Sequence, residues 1–371
     1  MSAFTIDVGS RIAEARDRAG LTQEQLAASS GIPRTVIAKI ERGHRRVGAL
    51  ELVDIADGLG TRVEWLLNEA PAAVVAHRTR LDPELNVATI DRELERLARD
   101  ASVVFELDPD LVTEQVPIHQ IPTTSEGAEL LASKARRLAG LKAHQPVHDL
   151  VGAAARLGLF AFSAPLGQDT ADAASTLVSP GGVALINSTN AVGRRRLALA
   201  HELGHFLVRD DYTVDWSVAE HTASDKTEVL LDRFARAFLL PRDALKAVWE
   251  SARQDNEVRT SAVISASHFH VDMSTLARRL LEMDIASHDV TKAIWGVKTT
   301  KADIVEHDLK VTYELEGRTV ADGYAKSVLG MYSAQRISAE RAIGLLYGVF
   351  ERDDLPELRV GHPDEIWSLL T

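Results

Sequence analysis

The chain of 371 residues contains no cysteine. That excludes disulfides, a thiolate nucleophile and sulfur-bound metal together, so any metal must be held by nitrogen and oxygen ligands. Also missing is an apolar run near the roughly eighteen residues of a membrane span, so no membrane association is expected. The opening stretch places Asp7 and Arg11 where a secretory signal needs an apolar core, and a cytoplasmic protein is the expectation. The chain has no excess of positive charge either. A formal net charge of −12 argues against general coating of nucleic acid, but not against a local basic patch. At this length two or three domains, each with its own core, are expected.

What the chain does have is the stretch Arg196–Val208, RLALAHELGHFLV. On a helix, His201 and His205 stand four residues apart, so both imidazoles leave one face a turn apart. Two neutral nitrogens so placed can hold one zinc ion, with Glu202 within reach of a water beside it. The leucines and alanines around them can bury the rest of the helix. A third protein ligand is needed if a fourth position is to stay open. Glu228, on the acidic helix pattern that runs to Phe238-Leu239-Leu240-Pro241, is the candidate. Asp232, four residues on, shares its helix face and could accept the second N–H of a liganding histidine, fixing its tautomer.

This run, followed by the acidic helix closing on FARAFLLP, resembles the ImmA/IrrE family of zinc-dependent metallopeptidases from about Glu129 to about Ala286. The family places a glutamate six residues before the Phe occupied here by Phe234, and Glu228 stands there. Leu240 replaces a common Met and Asp232 a common Asn; neither departure touches a proposed ligand. The resemblance implies a zincin-like domain in which His201, His205 and Glu228 hold zinc and Glu202 is the general base. Tyr212 and His221, between the ligands, are candidates for oxyanion stabilisation or for an alternative metal ligand.

Residues 9–69 read as five short helices. Thr22 opens the second with Gln25 as capping-box partner, Ser29–Ile32 makes a turn, and Val36, Ile37 and Ile40 face inward on the third. This stretch resembles the phage-repressor-like (Xre) helix-turn-helix domain. That resemblance implies double-stranded DNA as partner, with the helix over about residues 33–42 in the major groove. Arg34, Thr35 and Lys39 are then candidates for base edges or nearby phosphates, and Arg42, His44, Arg45 and Arg46 for backbone phosphates.

Between these regions, residues 71–126 read as a joint. Ile90, Leu94, Leu97, Ala101 and Val104 form one apolar helical stripe that must be covered, by a second copy of the chain or by the peptidase domain. A homodimer is expected because helix-turn-helix proteins usually read paired half-sites. Pro109, Pro117 and Pro122 make 108–124 an extended linker. Strands are expected at 159–163 and 183–187; the latter is either an edge that pairs with a peptide or an interior strand. Arg194, Arg195 and Arg196 call for a solvated turn or an acidic partner, since a helix start disfavours cations. His268 and His270 read as core packing. From about Val290 the resemblance ends, with a hairpin expected over 309–321 and an amphipathic helix over 338–350.

The fold class is therefore mainly α with a small β-sheet (α+β). It comprises an all-α helix-turn-helix domain (1–70), a linker with an amphipathic helix (71–126), a zincin-like domain (127–288) and a small α/β C-terminal appendage (289–371). The expected function is a DNA-binding regulator whose zinc peptidase cleaves a regulator protein or the chain itself. The alternative is a non-proteolytic repressor or sensor, or an antitoxin paired with a toxin, with a structural zinc domain.

Overall fold

The computed structural model describes residues 8–18, 21–59, 66, 76–78, 87–112, 118–168, 170–208 and 221–358. The chain divides into two compact units, Met1–Ala73 and Val74–Thr371.

The first unit contains α1 (Val8–Arg18), α2 (Gln23–Ser30), α3 (Arg34–Glu41) and α4 (Ala49–Gly58). Thr22 and Gln25 form the expected capping box, and Gly31 ends α2 in the left-handed conformation that glycine adopts without strain. Ile12, Leu26, Ile37, Ile40, Leu52, Ile55 and Leu66 close the core. Of the fifth expected helix, only Leu66 lies within the described residues; it is helical and buried. Glu41 fastens three helices at once, accepting from Arg16 Nε at 2.7 Å and from Gln23 Nε2 at 2.6 Å. The pair is largely withdrawn from water, so it fixes the angle between α3 and its neighbours more firmly than a surface bridge would.

The second unit is built on a five-stranded sheet in the order β1-β3-β4-β2-β5. The strands are β1 (Ala76–Arg78), β2 (Leu159–Ala164), β3 (Ala173–Val178), β4 (Gly181–Asn187) and β5 (Thr319–Val320). β2 and β4 run parallel, and every other pairing is antiparallel. β4 therefore lies inside the sheet, which decides between the edge and interior readings of 183–187.

Helices cover both faces, and alternate residues on each strand serve different cores. Phe160, Phe162, Ala174, Val178, Val183 and Leu185 face the helices α5 (Val87–Leu107), α15 (Asp322–Ser333) and α16 (Ala339–Leu345). The stripe Ile90, Leu94, Leu97, Ala101 and Val104 is fully buried on this face, so the chain itself covers it and it offers no face to a second copy. Leu159, Ala161, Ala173, Ala184 and Ile186 face the other way. There they meet α6 (Ser125–Leu138), α7 (Leu150–Arg156), α8 (Val192–Val208) and α9 (His221–Leu239). Behind these pack α10 (Arg242–Asp255), α11 (Val258–Phe269), α12 (Met273–Glu282) and α13 (His288–Trp295), followed by the short α14 (Lys301–Glu306).

The hairpin expected over 309–321 does not form. Only Thr319 and Val320 are extended, and they pair with β2. The preceding loop turns inward because Glu314 has donors to meet. Its Oε1 accepts the N–H groups of Leu150 and Val151 at the start of α7 at 2.7 and 2.9 Å, and its other oxygen pairs with Arg196. Its backbone carbonyl takes Arg195 at 3.0 Å, while Arg194 meets Asp172 at 2.8 Å. Arg194 and Arg196 at the start of α8 thus have acidic partners within the chain, Arg195 is held by backbone carbonyls, and Arg196 is wholly buried. The helix expected over 338–350 is shorter, Ala339–Leu345, and ends at Tyr347 and Gly348, both at positive φ. In the stretch read as extended linker, Pro109–Leu111 is a single 3-10 turn.

A candidate metal centre between two helices

Every residue of α8 from Arg195 to Val208 is buried, with His201 and His205 turned to α9 and Glu202 to the sheet. A glycine lets the two helices approach. A methyl group on Gly204 would stand 2.9 Å from the Phe234 ring and 3.3 Å from Leu231. The far side of α9 is anchored by Glu129 of α6, which holds Arg233 at 3.0 Å and the wholly buried Arg279 of α12 at 2.8 Å. Gly204→Ala is expected to lower both melting temperature and zinc affinity. Overpacking costs about 1–3 kcal/mol, against a gain in helix propensity of about 1 kcal/mol. Thermal unfolding and metal titration of the variant check this, and unchanged zinc affinity would mean that the close approach does not set the site.

Across this contact three side chains converge. His201 Nε2 and His205 Nε2 are 3.0 Å apart, and the carboxylate of Glu228 lies 3.1 Å from the first and 3.3 Å from the second. Donors about 2.0–2.1 Å from one tetrahedral zinc ion stand about 3.3 Å from each other, so two imidazole nitrogens and one carboxylate at these spacings fit that ion. The histidines are buried and Glu228 is one-third exposed, which puts the mouth of the site on its side. Burial pushes the Glu228 carboxyl up, but hydrogen bonds and charge from His201 and His205 outweigh it and hold the group down at about 2. It is therefore an anion throughout the neutral range.

Around this triangle lie the groups that aim it. Asp232 Oδ1 is 3.0 Å from His201 Nδ1, the ring nitrogen turned away from the centre. The other Asp232 oxygen is 3.4 Å from Arg236, and Arg236 is bound in turn to Glu282 at 2.8 Å. The chain His201–Asp232–Arg236–Glu282 thus reaches from α8 through α9 to α12. A carboxylate on the outer nitrogen fixes the tautomer that leaves Nε2 free to donate its lone pair.

Glu202 is wholly buried beside His201 and points toward the sheet. Its Oε2 accepts from Ser175 Oγ of β3 at 2.6 Å, and its Oε1 has no hydrogen-bond partner among the described residues. A buried carboxylate oxygen left so is costly unless water or substrate meets it. Ser175 is a functional candidate that sequence reasoning misses. No strand is expected over 173–178, because its residues are small and include serine and threonine; the one signal is a hydroxyl at a core-facing position. Tyr212 and the side chain of His221 lie outside the described residues; the backbone of His221 opens α9. His270 sits away from this cluster at the left-handed end of α11, 3.4 Å from His148. His201, His205 and Glu228 form the one metal-type cluster of His and acidic groups among the described residues.

In the first unit, Arg34, Thr35 and Lys39 are all exposed on α3, and Arg42, His44, Arg45 and Arg46 are exposed just beyond it. Arg45 is engaged with Glu51 at 2.8 Å, where the other Glu51 oxygen caps α4 through the Gly48 N–H at 3.0 Å. The Gly48 hydrogen bond, helped by Arg45, holds the Glu51 carboxyl below its ordinary value. Arg42 Nε is turned back onto the Ala38 carbonyl at 2.7 Å. Arg46 has no such internal bond among the described residues.

Two family models match the chain, a helix-turn-helix domain over residues 12–66 and an IrrE N-terminal-like domain over 154–281. Ser175 and all the residues of the candidate metal centre fall inside the second match. Among curated proteins, the chain is similar to an uncharacterized HTH-type transcriptional regulator of Sinorhizobium medicae (strain WSM419). The two are 42% identical over 66 residues, which is 18% of this chain and 48% of that protein. It is also similar to the uncharacterized HTH-type transcriptional regulator y4dJ of Sinorhizobium fredii (strain NBRC 101917 / NGR234). These are 40% identical over 53 residues, 14% of this chain and 69% of that protein. The chain thus spans about half the length of the first of these relatives. No solved structure matches the chain. Among the described residues no helix is long and apolar enough to cross a membrane.

Proposed function

Because the chain belongs to the HTH-type transcriptional regulators and carries an IrrE N-terminal-like domain as well, we propose that it is a DNA-binding regulator whose second unit is a zinc peptidase. Its substrate is a regulator protein or the chain itself. The observation that carries this reading is the convergence of His201, His205 and Glu228 beside a buried Glu202 that is held by one oxygen only.

Zinc, when bound by the three ligands, supplies Lewis-acid chemistry toward a peptide carbonyl and makes a nearby water more acidic. The remaining work falls to this chain's own groups. Glu202 takes the proton from the attacking water at Oε1 and returns it to the leaving amine, while Ser175 holds Oε2 so that the carboxylate keeps its aim. Asp232 keeps the outer nitrogen of His201 protonated, with Arg236 holding Asp232 in turn. The site lies under buried helices and opens at Glu228, so bulk water is largely kept from the proton-transfer path.

On this reading residues 1–70 bind duplex DNA through the exposed face of α3 and the basic run after it, as a pair of half-sites read by two chains. Replacing Arg45 and Arg46 together by Ala is expected to weaken binding to all sequences alike. The salt dependence should flatten by about 1 in slope for each phosphate that is no longer neutralised. Arg45 is shared with Glu51, so Arg46→Ala alone is expected to have the larger single effect. Binding isotherms at several salt concentrations test this; an unchanged slope in the double variant would place the DNA face elsewhere.

A further inference from the structure

The sheet that carries Ser175 has an outer edge, and the chain itself lies on part of it. Over Ala173, Ala174 and Ser175, β3 is paired antiparallel with Arg78, His77 and Ala76 of β1, which sets Ala76 opposite the serine that holds Glu202. β1 also lies against α8, the helix of His201 and His205. It is three residues long, ends the sheet, and begins three residues after the first unit closes at Ala73. The occupant of this edge thus comes from the first residues of the second unit. Beyond Ser175, the remaining β3 residues Thr176, Leu177 and Val178 have no strand partner on that side among the described residues.

An edge strand presents main-chain donors and acceptors that an extended polypeptide of almost any sequence can join. We propose that residues 76–78 occupy the outer edge of β3 in cis as an internal competitor of polypeptide that this edge takes up in trans beside the metal centre. The role given to the bound peptide rests on the peptidase reading above; the occupancy does not. Three residue pairs hold weakly, but β1 belongs to the same chain and meets the edge without the cost of a second molecule's association. A short peptide in trans at low concentration is therefore excluded. A longer one gains entry because it can pair along all six residues of β3, where β1 uses three.

The test uses the full chain carrying Glu202→Gln, so that peptide is bound without being hydrolysed, and a fluorescein-labelled peptide with the sequence of residues 74–80. Its affinity is measured by anisotropy for that chain and for two derivatives. One carries Ala76→Pro, His77→Pro and Arg78→Pro, which remove every donor of β1. The other carries Ala76→Gly, His77→Ser and Arg78→Gly, which weaken the strand without proline. Both derivatives should bind the peptide at least about tenfold more tightly than the parent, as expected when an internal competitor is removed. Amide exchange over 173–178 should quicken in both and slow again when peptide is added. Equal affinity in all three chains, or exchange over 173–178 unaffected by the substitutions, would overturn the occupancy in cis. No peptide binding by any of them would overturn the edge as a binding site. The peptidase reading is judged separately, by zinc-dependent fragments from the chain with Glu202 intact, so failure of one is distinguishable from failure of the other.

Discussion

A chain carrying Glu228→Ala is expected to lose its zinc on purification, where the parent retains about one ion. Removing the carboxylate leaves two imidazoles on one helix and no anionic donor, and the triangle of 3.0, 3.1 and 3.3 Å separations loses two of its three sides. Loss of an outer partner of a liganding histidine typically weakens metal binding about 10- to 100-fold, so loss of a ligand itself should cost at least about 100-fold. Asp232→Asn supplies the comparison. It keeps the shape of the side chain against His201 but removes the charge that fixes the ring, and a loss within that 10- to 100-fold range is expected. Metal analysis and competition with a chromophoric chelator measure both. Full zinc content in Glu228→Ala would show that Glu228 is not a ligand.

The second large effect concerns Glu202. Substitution by Gln preserves volume and can still accept from Ser175, but it cannot take a proton from water. Any cleavage by the chain is therefore expected to fall by about a hundredfold or more, while zinc content, melting temperature and DNA affinity stay at parental values. This separation matters because Glu202 is wholly buried, and a variant that merely misfolded would lose all four together. Ser175→Ala should act in the same direction but less severely, since it frees the carboxylate to turn without removing it.

What was legible in the sequence is local. The four-residue spacing of His201 and His205, the acidic helix that returns Glu228 and Asp232, and the capping box of Thr22 and Gln25 each depend on a helix a few turns long. Such signals survive in a linear reading because helix geometry fixes them. Ser175, Arg236 with Glu282, and Glu314 under the start of α8 were not legible, since each meets its partner across a large separation in the chain. The misreading of 309–321 has the same origin. Alternating apolar residues suggested two strands, but the buried arginines of α8 and the bare N–H groups of α7 drew Glu314 inward and left the ladder only Thr319 and Val320. The stripe on α5 was readable as a stripe, but its partner was not. One apolar face fits another copy of the chain as well as it fits a sheet, and only the tertiary fold assigns it to Phe160, Phe162 and Leu185.

Cutting of a protein at the His201, His205 and Glu228 centre, with Glu202 as base, is what the proposed function requires. Mass spectrometry of the chain itself and of the regulator proteins of its own cell decides it. The parent and Glu202→Gln are compared, each with and without zinc and with and without bound DNA. A discrete fragment is expected that requires both zinc and Glu202 and is at least about a hundredfold rarer in the variant. If no zinc-dependent fragment forms under any of these conditions, and cells carrying Glu202→Gln regulate their target genes as the parent does, the chain is not a peptidase. The metal centre then belongs to a sensor, a repressor or an antitoxin.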